Sequence, residues 1–153
     1  MQLGLQIPDF TTPDGPGRLG ADLGTVVRTA DEAGFDFIAV MDHFFQIGAI
    51  GAAEREMLEA YTTLGYVAAC TSRAKLLTLV TGAEGRDYDA ITKTCYFIFD
   101  VGEKGEKAGE VVDSLGRLAD MGFQAAIGSV ANVWQVTPLE VIASDVIPAV
   151  ANL

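Results

Sequence analysis

Short apolar runs alternate with longer amphipathic segments along the whole chain. Five runs are apolar almost throughout, as expected of strands covered on both faces of a parallel sheet: residues 3–7, 37–42, 76–81, 95–101 and 125–130. Several of the intervening segments carry apolar residues at helical spacing. This alternation predicts βαβ units and therefore an α/β fold built on a parallel sheet.

Two helix-to-strand junctions repeat one another. A glycine and a phenylalanine occupy the same place in DEAGFDFIAV and ADMGFQAAIG, as Gly34-Phe35 and Gly122-Phe123. Glycine favours the left-handed conformation in which many helices end. A repeated βα unit of this kind suits a barrel of alternating strands and helices.

The pattern predicts two further helices. The first spans about residues 54–72. Its inward face consists of Met57, Leu58, Tyr61, Leu64 and Ala68. The second begins in TPLE, with Thr137 at the N-cap, Pro138 at the first helical position and Glu140 completing a capping box. Pro148 should end or kink that helix near Ile147.

Composition restricts the class of protein. The 153 residues fit one domain, and a hydrophobic fraction of 50% is enough for a sizeable core. The net charge of −11 would repel nucleic acid backbones and anionic membrane surfaces, so neither is an expected partner.

The first residues, MQLGLQIPDF, lack the features of a secretory signal, and no apolar stretch is long enough to span a membrane. The two cysteines, Cys70 and Cys95, have no metal-site or disulfide-scaffold spacing. We therefore expect a cytoplasmic protein with reduced thiols and no metal centre.

Three segments, in this order, resemble the luciferase-like flavin monooxygenase superfamily, and within it the oxidoreductases that use the deazaflavin coenzyme F420. They are GFDFIAVMDHF at the second strand, EMLEAYTTLGYVAACTSRAKLLTLVTG through the third, and IGSVANVWQVTPLEVIASDVIPAV at the end. Together they make the resemblance extend over nearly the whole chain. Each segment alone is a weak signal, and their shared order makes the resemblance specific.

The resemblance implies an incomplete (β/α)8 TIM barrel, since the complete barrel takes about 250 residues. Residues 1–83 would hold βα units one to three, and residues 84–153 would hold units seven and eight. The join falls at Ala83-Glu84-Gly85 and omits the middle of the barrel. About five parallel strands would remain, in the family order 7-8-1-2-3.

The motif MDHF places Asp42 and the only histidine, His43, where the second strand ends. Active sites of TIM barrels lie at this end of the strands. The resemblance implies that His43 donates or accepts a proton beside the cofactor ring while Asp42 orients the loop, and imidazole suits proton transfer near neutral pH. The alternative is a packed remnant, enclosed by Met41, Phe44 and Phe45.

The resemblance also implies two cofactor-binding positions, Thr81-Gly82 and Gly128-Ser129, for coenzyme F420 or FMN. Glycine permits close approach of a ligand to the backbone, and a strand-end serine offers a hydroxyl group. The alternative is that both pairs are ordinary turns at strand ends, which contain the same residue types. No glycine-rich segment replaces the phosphate-binding part of the missing units.

Two functions remain open. The first is a shortened oxidoreductase of this family, with hydride transfer as its ancestral chemistry. The second is a non-catalytic half-barrel that serves as an assembly or interaction protein. In both, unpaired edge strands favour a homodimer or a larger homo-oligomer, formed with or without a domain swap, unless the sheet curls and closes on itself.

Overall fold

The computed structural model describes residues 1–79 and 92–153. The strands are β1 (Gln2–Ile7), β2 (Phe37–Met41), β3 (Lys75–Leu79), β4 (Thr94–Tyr96) and β5 (Ala125–Gly128). The helices are α1 (Leu19–Ala33), α2 (Ala60–Cys70), α3 (Ala108–Asp120), α4 (Thr137–Val141) and α5 (Ile147–Val150), with a π-helical turn (Ile142–Val146) joining the last two. Short 3-10 turns lie at Pro16–Arg18 and Val133–Gln135.

The strands form one parallel sheet in the order β3-β2-β1-β5-β4. The central strand is β1, where Leu5 pairs with Ile38 on one side and with Gly128 on the other. This confirms the predicted α/β class and the strand order of an incomplete barrel. In the described residues the sheet is open, with β3 and β4 as its edges.

The two faces of the sheet differ because alternate residues of a strand point to opposite sides. One face contributes Leu3, Leu5 and Ile7 of β1, all buried in the core that the helices cover. The other face carries the remaining positions of the same strands. In a complete barrel this second face would line the interior, and here it contributes to an open cleft.

The repeated junction is confirmed in detail. Gly34 and Gly122 both adopt left-handed conformations, with φ of 100° and 90°. In each copy the amide after the glycine donates to the carbonyl five residues earlier, Phe35 N–H to Ala30 and Phe123 N–H to Leu118, both at 3.1 Å. These are the bonds of a Schellman cap, so the same local signal ends α1 and α3.

The predicted start of the second helix is wrong. Helix α2 begins at Ala60, because the Glu59 carboxylate accepts hydrogen bonds from Tyr61 N–H at 3.0 Å and Thr62 N–H at 2.6 Å and so caps it. The inward face is also shifted. Ala60, Thr63 and Val67 are buried, and the predicted Leu58 and Leu64 pack against the core, whereas Tyr61 is 67% exposed.

The predicted cap of the last helix is displaced by one residue. Val136, with φ of 67°, occupies the N-cap position, and no side chain caps the helix. Pro148 does not end the helix at Ile147, since the chain passes through the π-helical turn and continues as α5. A π-helical turn is one of the few irregularities that a helix accommodates without ending.

Strand β1 ends at Ile7 as predicted, whereas β2, β4 and β5 end earlier than predicted, and the predicted end of the third strand lies outside the described residues. Strand β4 stops at Tyr96, although a single bridge pairs Phe99 with Val130, and β5 stops at Gly128. Trp134 packs against the core, and both cysteines are free thiols. Among the helices of residues 1–79 and 92–153, none has the length and apolar character needed to cross a membrane.

Candidate functional site

A cleft of about 640 Å³ opens at the carboxyl ends of β1, β2, β4 and β5. Its lining includes Gln6, Met41, His43, Tyr96, Ile98 and Ser129. The volume lies within the range of about 300–1,000 Å³ typical of sites for small ligands and cofactors. The cleft also has the usual character of such sites, a mostly apolar wall with a few polar groups.

His43 lines this cleft and a second one of about 310 Å³, which it shares with Asp42 and Met57. Its side chain is half-buried, and it stands between the two openings. Phe44 is 96% exposed and Phe45 is 71% exposed, so neither ring is held in the interior as the packed-remnant alternative requires. The structure therefore presents the imidazole to a cleft.

Asp42 does not share the larger cleft with His43. Its side chain is exposed and makes no hydrogen bond within the described part of the chain. The loop that follows is anchored instead by Gln46, whose Nε2 donates to the Pro8 carbonyl at 2.8 Å and whose Oε1 accepts from Ile47 N–H at 2.9 Å. Sequence reasoning missed this buried glutamine.

An ion pair joins the far end of the same loop to the segment that follows β1. The Arg55 guanidinium lies 2.5 Å from the Asp9 carboxylate, which also accepts a hydrogen bond from Thr11 N–H at 2.9 Å. Burial alone would raise the pKa of Asp9, but the bonds from Thr11 and Arg55 bring that pKa below its ordinary value. Both ends of the loop are therefore fastened next to the mouth of the cleft.

The two residues of Gly128-Ser129 face opposite sides of the sheet. Ser129 lines the cleft, where its hydroxyl lies 3.1 Å from that of Tyr96. Gly128 is buried, and a Cβ there would overlap the carbonyl oxygen of Phe97. The close approach of that neighbouring segment of chain requires a glycine at this position. The other predicted pair, Thr81-Gly82, lies outside the described residues.

Gln6, which lines the cleft, is a second residue that sequence reasoning missed. It is 4% exposed, and its Oε1 atom has no hydrogen-bond partner in the described residues. The signal was present in the run LGLQI, where a glutamine interrupts an otherwise apolar strand. A polar side chain at such a position points either to a buried hydrogen bond or to a ligand.

Comparison with known proteins identifies the family. A search of curated proteins finds no match to this chain. A family model described as luciferase-like monooxygenase matches residues 1–87, which include β1, β2, β3 and His43. Within the described residues, no group of three His, Cys, Asp or Glu side chains is placed to hold a metal. Because the matched segment is more than half of the 153 residues, the chain belongs to the luciferase-like monooxygenase family, a family of oxidoreductases that typically bind flavin-type cofactors.

Proposed function

We propose that this protein is a shortened luciferase-like oxidoreductase whose cleft takes the ring of a flavin or deazaflavin, FMN or coenzyme F420. The observation that carries the proposal is the position of His43, which lines an apolar cleft at the carboxyl ends of the strands. This is the end of a parallel barrel at which enzymes of this fold carry out their chemistry.

The lining suits a flat aromatic ring. Met41 and Ile98 offer apolar surface, and the Tyr96 and Ser129 hydroxyls supply polar contacts nearby. Apolar walls exclude water and strengthen the few polar contacts made inside. The phosphate-bearing tail of either cofactor has no corresponding glycine-rich cradle in the sequence, so the ring would provide most of the binding energy.

When bound, the cofactor supplies an acceptor or donor for hydride. The imidazole of His43 gives or takes the accompanying proton, since imidazole changes its protonation state near neutral pH. The loop anchored by Gln46 and by the ion pair of Asp9 and Arg55 positions the strand end that carries His43. Asp42 lines the smaller cleft beside His43, where its carboxylate adds negative charge to the loop.

Binding by a single chain should be weak. A complete barrel surrounds the cofactor with loops from all eight strands, whereas residues 1–79 and 92–153 form a sheet of five. Loss of three hydrogen bonds to charged groups would cost about 5–9 kcal/mol, which turns a submicromolar site into a millimolar or weaker one. A second copy of the chain, bound as a homodimer or by a domain swap between residues 1–83 and 84–153, would supply the missing wall.

Titration with FMN and with coenzyme F420, followed by fluorescence, tests this proposal. We expect a colourless protein as purified and millimolar dissociation constants at low protein concentration, with tighter binding where the chain self-associates. Submicromolar binding by a monomer would contradict the argument for lost contacts. An absence of binding at every concentration would favour the second candidate, a non-catalytic half-barrel assembly protein, which the open sheet edges support.

A further inference from the structure

Gln6 brings to the cleft a carboxamide whose buried Oε1 atom has no hydrogen-bond partner in the described residues. It lies on the central strand of the sheet, where it pairs in register with Ala39 of β2. On its other side, the register of Leu5 with Gly128 places Ser129 next to it. Ala39 offers no polar side-chain atom, and the Ser129 hydroxyl is already engaged with Tyr96. Neither neighbouring residue forms a hydrogen bond with the Oε1 atom of Gln6.

The burial of this group makes its lack of a partner significant. Only 4% of the Gln6 surface is exposed, and its Oε1 atom is out of contact with solvent. Buried polar side chains in folded proteins almost always have a hydrogen-bond partner, because an unsatisfied one destabilises the fold. A leucine of similar size would fill the same place in the strand without this penalty. The glutamine is thus costly to the folded chain, and a ligand in the cleft would remove that cost.

We propose that Gln6 recognises the imide edge of the ring that occupies the cleft. This inference rests on the proposed function and assigns a residue that fixes which edge of the ring enters first. A carboxamide carries one acceptor and two donors, and half a turn about its last torsion exchanges Oε1 and Nε2. It can therefore pair with a group that presents an N–H beside a carbonyl. The pyrimidine portion of flavin and deazaflavin rings is such a group.

The chemistry predicts discrimination as well as affinity. A site built to bond an N–H rejects an analogue that lacks it, because the polar group of the site is then left unpaired. Methylation of the imide nitrogen removes the N–H and adds bulk at the same point. Gln6 would thus act as a specificity-determining residue, whereas His43, two residues after the end of β2, serves the reacting part of the ring.

The experiment compares FMN and coenzyme F420 with N3-methyl-FMN on three proteins, by ligand-observed NMR, which measures millimolar binding. The variants are Gln6→Leu and the matched control Gln2→Leu, at the other end of the same strand and facing the same side of the sheet. We expect wild type and Gln2→Leu to bind FMN about tenfold more tightly than N3-methyl-FMN. Gln6→Leu should bind FMN about tenfold more weakly than wild type and should no longer distinguish the two ligands, a difference of about 1.4 kcal/mol.

Thermal unfolding without ligand gives an independent readout. We expect Gln6→Leu to raise Tm by about 2–4 °C, because it removes an unsatisfied buried group. A fall in Tm would show that Gln6 has a structural role and would overturn the inference. Equal FMN affinity of Gln6→Leu and wild type would overturn it while leaving ring binding intact. If wild type binds neither cofactor, the proposed function fails and this inference fails with it.

Discussion

His43 occupies the boundary between two clefts and is only half-buried. A residue so placed contributes little to the core, so we expect His43→Ala to change the free energy of unfolding by less than about 1 kcal/mol. Ile38→Ala, a truncation of a fully buried residue on the same strand, should cost about 2–5 kcal/mol. Urea unfolding of both variants measures the difference. Equal losses would favour the packed-remnant alternative for His43.

Single residues of the site were predictable to different degrees. His43 was identified because a strand end followed by MDHF is a local pattern, and its place at the cleft depends only on where β2 ends. Gln46 was missed because its role depends on a contact with Pro8, distant in sequence. The explanation for Gly128 also differs from the sequence-based one. The approach of Phe97 requires a glycine there, and that approach is set by pairing between β4 and β5.

At the scale of elements, Asp31 joins α1 to the start of β3. Its buried carboxylate accepts hydrogen bonds from Ser72 N–H at 2.9 Å, Arg73 N–H at 3.0 Å and Ala74 N–H at 2.6 Å. Asp31→Asn replaces one accepting oxygen with a donor, so we expect a loss of about 2–4 kcal/mol in the free energy of unfolding. The neighbouring exposed residue provides the control, Glu32→Gln, which should change stability little. Chemical denaturation of both variants at pH 7 tests this.

The same carboxylate predicts a pH dependence. Burial alone would raise the pKa of Asp31, but the amides of Ala74, Ser72 and Arg73 hold that pKa below its ordinary value of 3.8. A carboxyl with a lowered pKa in the folded state stabilises the fold fully above the ordinary value and loses that contribution as pH falls through the folded value. The stability difference between wild type and Asp31→Asn should therefore be constant above about pH 5 and shrink below pH 4. A difference that stays constant down to pH 2 would contradict this.

The elements that were predicted well are those set by local chemistry. The Schellman caps at Gly34 and Gly122 depend on residues within one turn of each helix end. The start of α2 was placed too early because residues 54–59 have helical spacing but are held in a loop. Arg55 pairs with Asp9, and the Glu56 carboxylate accepts from the Thr11 hydroxyl at 3.0 Å. These contacts join segments more than 40 positions apart, and no periodicity along the chain indicates them.

For the whole molecule, the strand order followed from the resemblance and not from hydrophobic periodicity. Apolar runs predict that a parallel sheet forms, but they carry no information on which strand lies next to which. The family order supplied that, and the observed sheet has β1 at the centre as expected. The lining of the cleft, in contrast, could not be predicted from the sequence. Its rim combines Ile47 and Ile50 of one loop with Tyr96 at the end of β4 and Ile98 just after it, a combination that exists only after folding.

Self-association is the prediction that belongs to this scale. Strand β4 is an edge of the sheet in the described residues, and beside it Tyr96 is 58% and Ile98 61% exposed. Open edges and clustered apolar side chains favour association with another chain, and a second copy meets the same surface through a two-fold axis. We therefore expect a homodimer at micromolar concentration in sedimentation equilibrium, with this edge at the contact.

Charge substitutions test where the contact lies. Ile98→Lys places a charge on the exposed edge beside the cleft, and the matched control Met121→Lys does so at a 66% exposed residue after α3. Because each chain carries a net charge of −11, a lysine lowers the overall repulsion between two copies, so weaker association would reflect the lost apolar contact and the desolvation of the new charge. We expect Ile98→Lys to raise the dimer dissociation constant at least about tenfold, or 1.4 kcal/mol, and Met121→Lys to leave it unchanged. A wild-type chain that stays monomeric at micromolar concentration would show that its edges need no partner, and equal effects of the two variants would place the contact elsewhere on the molecule.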